Sequence, residues 1–217
     1  MWRPCDDEYH RNSFRSRSLV LLYRVVPGHR VNHQFPDKLS TKRLVLRRLR
    51  SDDVDAICGY RSKPEVARFQ SWETYEREEG ERLVEGQVNM EPGIPGTWFQ
   101  AAIVESATGT MVGDCGLHCL KDEPRQMELG VTLDSDYQGR GYATEALSCL
   151  LDFVFGTLNA HRVFAVTGSE NVAAEALFLR LGFRKEAHFI EHRSYKGYWD
   201  SEFVFGLLRR EWVTARS

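Results

Sequence analysis

The sequence predicts a mixed α/β fold, and three observations point to it. Short segments with apolar residues at every second position, typical of strands, occur along most of the chain. In the first half these segments follow one another, whereas in the second half strand and helix patterns alternate. The 217 residues, 42% hydrophobic and 28% charged, have the balance of a globular protein with a real core. We therefore expect one domain with some extra length.

The first half of the domain contains the patterns of strands, helices and a hairpin. Leu44 and Leu46 alternate with polar residues, which predicts a first strand over Thr41–Arg48. Ser51 and two acids then favour a helix start, and Val54, Ile57 and Cys58 supply its apolar stripe. The remaining predictions are a helix over Tyr75–Val88, a loop over residues 92–96, and an antiparallel hairpin of Phe99–Val104 and Met111–Leu120 around Thr108-Gly109.

The second half alternates strand and helix patterns before a final hairpin. The most apolar segment predicts a long helix over Thr144–Phe155, and Gly182 is expected to end a later one. In chain order, the predictions are a strand Met127–Leu133, the helix Thr144–Phe155, a strand Arg162–Val166, a helix Ala173–Leu181 and a hairpin Phe189–Leu207 around Lys196-Gly197.

Residues 1–37 have neither helical nor strand periodicity, so we expect a poorly ordered extension before a domain over residues 38–217. A net charge of −2 gives no electrostatic case for nucleic acid. The apolar run Leu19–Val26 is interrupted by Arg24 and is too short to span a membrane. The break at Tyr23-Arg24 and the lack of a small-x-small cleavage pattern in residues 27–30 disfavour a signal peptide. Five cysteines without framework spacing suggest reduced thiols. A cytoplasmic location, without membrane or nucleic-acid partners, is expected.

Cys115, His118 and Cys119 form the nearest approach to a metal cluster. On a strand His118 points away from both cysteines, and the two sulfurs lie roughly 13 Å apart along it. We therefore expect buried thiols and no metal.

The segment Gln138-Gly139-Arg140-Gly141-Tyr142-Ala143 lies between a predicted strand and the long apolar helix. Two glycines allow the backbone to turn tightly and to present bare N–H groups, and the helix adds its positive N-terminal end. These features favour a phosphate or pyrophosphate. The segment lacks the Gly-Lys-Ser/Thr of a P-loop and the three spaced glycines of a dinucleotide fold.

This segment matches the Gln-Gly-x-Gly-x-Ala/Gly signature with which GNAT acetyltransferases hold the pyrophosphate of acetyl-CoA. Other motifs resemble the ribosomal-protein N-terminal acetyltransferase branch of that superfamily, in order and spacing, from about Lys38 to Trp212. They are residues 39–47, residues 160–163, Asn171, Leu181-Gly182-Phe183 with Lys185-Glu186, residues 195–200 and Arg210-Glu211-Trp212.

The resemblance implies the GNAT fold, a mixed, mostly antiparallel sheet that splays at the strand Met127–Leu133 with help from Gly130. It also implies acetyl-CoA as cosubstrate, with pantetheine bound by the backbone of that strand at Leu129 and Val131. One N–H of the strand would hold the thioester carbonyl as it becomes an oxyanion. Residues 138–143 would bind the pyrophosphate, and Asn171 would hydrogen-bond the cofactor near the pantetheine arm.

Glu128 is the candidate general base, since this branch often has an acid at that position and the attacking amine must be neutral. An ordinary salt-bridged strand acid is the alternative reading. Relatives often have Ser three residues, or Tyr seven residues, after the asparagine to protonate the leaving thiolate. Here these positions are Ala174 and Phe178, so the general acid is unassigned. Trp72, Tyr75 and Trp98 lie near the expected acceptor region, although single aromatics are more often core.

Three functions remain open at this point. The first is acetylation of the N-terminal α-amine of a protein or peptide, by direct attack in a ternary complex. The second is acetylation of a small amine, such as a polyamine, an aminoglycoside or an amino acid. The third is an acetyl-CoA-binding module without catalysis, which Ala174 and Phe178 favour and Glu128 disfavours. The apolar final hairpin is also a candidate for pairing two subunits.

Overall fold

A computed structural model describes residues 34–216. It contains eight strands: β1 Leu39–Ser40, β2 Leu44–Arg48, β3 Trp98–Glu105, β4 Met111–Cys119, β5 Gln126–Leu133, β6 Arg162–Gly168, β7 Arg184–Tyr195 and β8 Tyr198–Leu208. The α-helices are α1 Val54–Arg61, α2 Pro64–Ala67, α3 Arg77–Gln87, α4 Tyr142–Gly156, α5 Val172–Arg180 and α6 Arg209–Thr214. Short 3-10 helices cover Ser51–Asp53 and Ser135–Tyr137.

The strands form one sheet in the order β1-β2-β3-β4-β5-β6-β8-β7. Neighbouring strands run antiparallel except β5 and β6, which are parallel. That parallel pairing extends only from Gln126 with Arg162 to Glu128 with Phe164. Beyond this point the two strands separate, and residues 129–133 of β5 pair with β4 alone. The predicted mixed, mostly antiparallel sheet that splays at β5 is confirmed.

The two faces of the sheet bury different helices. On one face α4 places Ala146, Leu147, Leu150 and Leu151 into the larger core, together with the inward residues of the central strands. On the other face α1 and α3 pack over β3 and β4 in a smaller cluster around Ile57. Each strand supplies both faces because its side chains alternate.

The predicted elements are all present, with ends that move by a few residues. The helix predicted over Thr144–Phe155 begins at Tyr142, because Gly141 turns left-handed at its N-cap (φ 79°). Gly182 (φ 86°) follows the end of α5, as expected. The short elements β1, α2 and α6 are additional to the predictions, since a few residues carry no periodic signal.

Phe35 lies within the segment that the sequence assigns to an extension, yet its side chain is only 4% exposed. Its ring packs against Phe99 and Phe153, and its N–H donates to Glu91. The core therefore includes a residue ahead of the predicted boundary at Lys38. The rest of that prediction concerns residues 1–33, which lie outside the described residues. Among residues 34–216, no helix has both the length and the apolar character needed to cross a membrane.

Candidate active site

The separation of β5 from β6 opens a cleft whose walls are backbone. Leu129 is buried in the core and Val131 packs against it, so their side chains point away from the cleft. Gly130 lies between them, and a Cβ built on it would meet no atom within 4 Å. This stretch of β5 thus presents bare main chain where the resemblance expects an extended amide-bearing ligand.

The loop of residues 138–141 closes one end of the cleft. Gly139 (φ 73°) and Gly141 (φ 79°) both adopt the left-handed conformation that other residues disfavour. The backbone N–H groups of residues 139–144 donate to no acceptor among the described residues, while the N–H of Glu145 makes the first bond of α4, to Gly141. Several free N–H groups at a helix N-terminus form a cradle that fits a pyrophosphate.

The side chains of the loop hold it in place. The Gln138 side-chain amide donates to the carbonyl of Leu133 at the end of β5. The Tyr142 ring is buried and its hydroxyl donates to Glu105, a hydrogen bond that lowers the pKa of that carboxyl. Ala143 packs against the core, whereas Arg140 is exposed and its guanidinium lies 5.0 Å from the ring of Tyr137.

Arg43, which the sequence did not single out, ties the start of β2 to this loop. Its guanidinium donates to the carbonyl of Arg140 (3.0 Å) and to the carboxylate of Glu145 (2.7 Å). Glu145 also accepts from the hydroxyl of Thr41 (2.6 Å). Burial favours the neutral acid here, but these hydrogen bonds outweigh it and lower the pKa of Glu145. The loop is therefore fixed from a strand about a hundred residues earlier in the chain.

Asn171 lines the cleft at the N-cap of α5, where its Oδ1 accepts from the N–H of Ala174 (3.1 Å). The capping bond uses the oxygen, so a ligand contact would come from the amide nitrogen. Ala174 and Phe178 follow on the same helix and also line the cleft. The Phe178 ring packs against Phe183 and Phe205. Neither Ala174 nor Phe178 has a side-chain proton to donate to a leaving thiolate.

The cleft continues through the sheet into a cavity on the face that carries α1 and α3, and the cleft and this cavity together enclose about 870 Å³. Its floor is formed by Gly116 on β4 and Gly130 on β5, which are cross-strand partners. A Cβ at Gly116 would lie 2.6 Å from Oε1 of Gln100 and 3.2 Å from the Trp98 ring, both on β3, so a larger residue would displace these side chains. Two adjacent glycines therefore keep the middle of the sheet accessible.

Glu128, the candidate base, lies at the point where β5 and β6 part, and it lines this cavity with its side chain 23% exposed. Its cross-strand partner is His118, whose Nδ1 lies 3.8 Å from Glu128 Oε2. The imidazole stacks on Trp98, with ring centroids 5.0 Å apart and planes 12° from parallel. His118 does point away from Cys115 and Cys119, as predicted, but it points towards the site.

A buried ion pair supports the cavity from below. Arg61 on α1 and Asp114 on β4 are 3% and 1% exposed, and they meet at 2.9 Å. Tyr60 and Gln100 also donate to Asp114. Burial lowers the pKa of Arg61, but attraction to Asp114 outweighs it and raises the pKa overall, so the guanidinium stays charged. Removing one partner would leave an uncompensated buried charge.

The hairpin of β7 and β8 forms the opposite wall. Buried Glu202 accepts from Arg193 and bonds His192, and Asp200 lines the cavity nearby. At the hairpin tip, the Lys196 ammonium donates to the carbonyls of Ala67 and Trp72, both at 2.8 Å. The hairpin is thereby joined to the segment after α2, and the cavity is bounded on both sides.

The described residues contain no group of three His, Cys, Asp or Glu side chains placed to bind a metal. Burial raises the pKa of the Cys115 and Cys119 thiols, to about 11 for Cys119, which disfavours the thiolate that metals and electrophiles require. The site thus offers a backbone cradle on one side and a polar, aromatic-lined cavity on the other, with Glu128 between them.

Comparison with known proteins agrees with this geometry. A family model described as an acetyltransferase (GNAT) domain matches residues 43–184. An uncharacterized N-acetyltransferase of Bacillus licheniformis is 30% identical over 177 residues, which cover 82% of this chain and 99% of that protein.

Two further relatives have names that state an acceptor. The [Ribosomal protein uS5]-alanine N-acetyltransferase of Escherichia coli is 28% identical over 88 residues, covering 41% of this chain and 45% of that protein. The crystal structure of spermidine N-acetyltransferase from Vibrio cholerae, in complex with CoA and spermine, superposes with a TM-score of 0.69 at 21% identity. It covers 80% of this chain and 99% of that one, and it shows the shared fold.

Proposed function

The chain belongs to the GNAT acetyltransferase family and is an acetyl-CoA-dependent N-acetyltransferase; from this premise we propose that its acceptor is the N-terminal α-amine of a protein or peptide. Acetyl-CoA supplies an activated acetyl thioester, which an amine attacks directly. The observation that supports acetyl-CoA binding is the set of backbone N–H groups of residues 139–144. They have no acceptor among the described residues, and N–H groups at a helix N-terminus bind phosphate oxygens.

We propose that the cosubstrate lies along β5, with the main chain at Leu129 and Val131 binding its amides. The residues that hold its pyrophosphate are then Gln138, Gly139, Arg140, Gly141, Tyr142 and Ala143. Asn171 would donate from its amide nitrogen, since its oxygen already caps α5. No metal is needed for this chemistry.

Glu128 is placed to accept a proton from the acceptor. It lies where the cofactor cleft meets the cavity, and it is the carboxylate of β5 on the cavity face. An exposed amine near pKa 10.4 is mostly protonated at neutral pH, and an ordinary α-amine near 7.7 to 8.0 is partly so, hence a base assists both. With Ala174 and Phe178 beside the cleft, the thiolate leaves without an acid from α5.

The lining of the cavity supports a peptide acceptor. Trp72 and Trp98 lie there beside polar groups, a mixture that suits the main chain and side chains of a peptide N-terminus. The similarity to an enzyme that acts on alanine of a ribosomal protein points the same way.

A small polycation is the second candidate acceptor. The observation that favours it is the presence of the carboxylates Glu128 and Asp200 on the cavity walls, since carboxylates attract amines along a chain. The similarity of fold to a spermidine acetyltransferase is consistent with it.

The test is release of free thiol from acetyl-CoA over a panel of acceptors. The panel contains peptides that begin with Ala, Ser or Met, the same peptides with a blocked N-terminus, spermidine, an aminoglycoside and free amino acids. We expect the highest kcat/KM with a free-amine peptide and none after blocking. A higher kcat/KM with spermidine than with every peptide would show that the acceptor is a small polycation and not a peptide α-amine.

A further inference from the structure

His118 has a buried nitrogen that forms no hydrogen bond. Its Nδ1 is inaccessible to solvent and has no partner among the described residues. Buried polar atoms are nearly always paired, so each exception calls for an explanation. The nearest ionisable oxygen is Oε2 of Glu128 at 3.8 Å, beyond hydrogen-bond distance.

Two features hold these groups together. His118 and Glu128 are cross-strand partners on neighbouring antiparallel strands, so their Cβ atoms are close by construction. Trp98, the cross-strand partner of His118 on the other side, stacks on the imidazole and restricts its rotation. A small rotation of the Glu128 side chain would bring its oxygen to hydrogen-bond distance of Nδ1.

We propose that His118 is a positioning residue for acetyl transfer, holding through Glu128 the proton that leaves the acceptor amine. The inference rests on the proposed role of Glu128. An ammonium N–H bond breaks as an O–H bond forms on Glu128; that O–H bond then breaks as an N–H bond forms on His118 Nδ1. Glu128 returns to carboxylate beside an imidazolium, and the proton leaves by the same route to water after the product departs.

The chemistry favours this direction of transfer. An imidazole is a stronger base than a carboxylate, so the proton is held more firmly on the ring nitrogen than on the carboxylate oxygen. Other charges facing the cavity are mutually paired: Arg61 bonds Asp114 on the α1 side, and Arg193 and His192 bond Glu202 on the hairpin wall. Asp200, Arg68 and Glu170 complete the charged lining.

The first experiment compares His118→Asn with the wild type in kcat against pH. The asparagine amide can occupy the place of Nδ1 as a hydrogen-bond donor but cannot take up a proton. The assay is thiol release with saturating acetyl-CoA and a saturating N-terminal alanine peptide, or the best acceptor of the panel. We expect kcat to fall about tenfold and the acidic limb of the pH profile to move to lower pH. His161→Asn is the matched control, because that side chain is exposed at the start of β6.

A merely structural His118 would lower kcat, or melting temperature, without moving the acidic limb, and that result overturns the proposal. An unchanged kcat in His118→Asn overturns it equally. Wild-type protein that acetylates no amine of the panel would instead contradict the proposed function.

The second experiment needs no acceptor. The imidazole proton resonance of His118 is identified by its loss in His118→Asn, or by its contact with Trp98 if that variant does not fold. It is then titrated in wild type and in Glu128→Gln. Removing the facing carboxylate should lower the titration midpoint by at least about half a unit, because the carboxylate stabilises the imidazolium. Equal midpoints in the two proteins overturn the pairing.

Discussion

The two halves of the site are built from different materials. The proposed cofactor side consists of main chain: the unpaired part of β5 and the free N–H groups of residues 139–144. The proposed acceptor side consists of side chains from distant elements: Trp98 on β3, Glu128 on β5 and Asp200 on β8 line the cavity, and His118 on β4 lies behind Trp98 and Glu128. A backbone site depends on local conformation, whereas a side-chain site depends on the register and packing of the whole sheet. The two sides should therefore respond differently to substitution.

Gly141→Val should damage the cofactor side most. A β-branched side chain at φ 79° is strained and fills the space that a pyrophosphate needs. Loss of two charge-assisted hydrogen bonds corresponds to about 3–6 kcal/mol, or an affinity for CoA lower by about 10²–10⁴-fold. Calorimetry or a CoA-induced melting shift measures this.

Gly109→Val is the control for strain. Gly109 also has positive φ (72°) and open space around it, but it lies in the turn between β3 and β4. Both variants should lose similar stability, and only Gly141→Val should lose CoA affinity. Equal CoA affinity in a folded Gly141→Val protein would show that the loop is misassigned.

Glu128→Gln tests the acceptor side. The change keeps the shape and the CoA affinity but removes the base, so turnover should fall by about 10²–10⁴-fold. The wild-type rate should climb with pH until the base is ionised, and the variant should require a higher pH because only free neutral amine reacts. Glu123→Gln is the control, since that carboxylate lies in the β4–β5 turn and pairs with Arg125.

Two outcomes would count against the base. Turnover and pH profile equal to the wild type would end the assignment. A raised KM with unchanged kcat would mean that Glu128 only binds a cationic acceptor. Neither outcome would alter the acetyltransferase activity itself.

Deletion of N-terminal residues tests the stability of the fold without changing either half of the site. Removal of residues 1–37 deletes Phe35, and loss of a buried phenylalanine costs about 3–5 kcal/mol in the free energy of unfolding. Removal of residues 1–33 should cost less than about 0.5 kcal/mol, because that sequence has no periodic apolar face. Urea denaturation of the two truncated proteins and of Phe35→Ala measures the difference. A large loss from the shorter deletion would give the first 33 residues a structural role.

Arg43→Met should have the smallest effect and tests whether the cofactor side is truly main chain. The Arg43 side chain is 42% exposed, and exposed pairs contribute about 0–1 kcal/mol, so CoA affinity should fall less than about fivefold. Glu145→Gln should give a similar change, and the double variant no further loss if the two act only through each other. A fall of a hundredfold would mean that a distant side chain, rather than local backbone, sets the loop.

The pKa of Glu145 adds a pH dependence to this contact. Because its pKa is lowered in the folded protein, the contact stabilises the fold above the carboxyl's ordinary value near 4.3 and is lost as pH falls through the lower folded value. Arg43→Met should therefore weaken this acid dependence, because the hydrogen bonds from Thr41 and from the Arg43 backbone remain, whereas Glu145→Gln should abolish it.

The sequence by itself determined the order of the elements and predicted the loop of residues 138–143 as the pyrophosphate site. Gly139 and Gly141 immediately precede a helix, and presenting N–H groups needs only backbone conformation, so a local motif is enough to make that prediction. The same holds for Ala174 and Phe178, whose lack of a proton is a property of the residue. The free thiols of Cys115 and Cys119 were likewise predicted to be buried, and both lie in the core.

Only the tertiary structure decided the acceptor side and the supports of the loop. Sheet register brings His118 to Glu128 and Trp98 to His118. Neither pairing can be predicted from the spacing of these residues in the sequence. Arg43 reaches the loop from about a hundred residues away, and Lys196 bonds carbonyls of Ala67 and Trp72 across more than 120 residues. Phe35 carries no periodicity with its neighbours, yet it fills a gap between Phe99 and Phe153. Contacts of this kind depend on how strands and helices stack, which local sequence patterns do not encode.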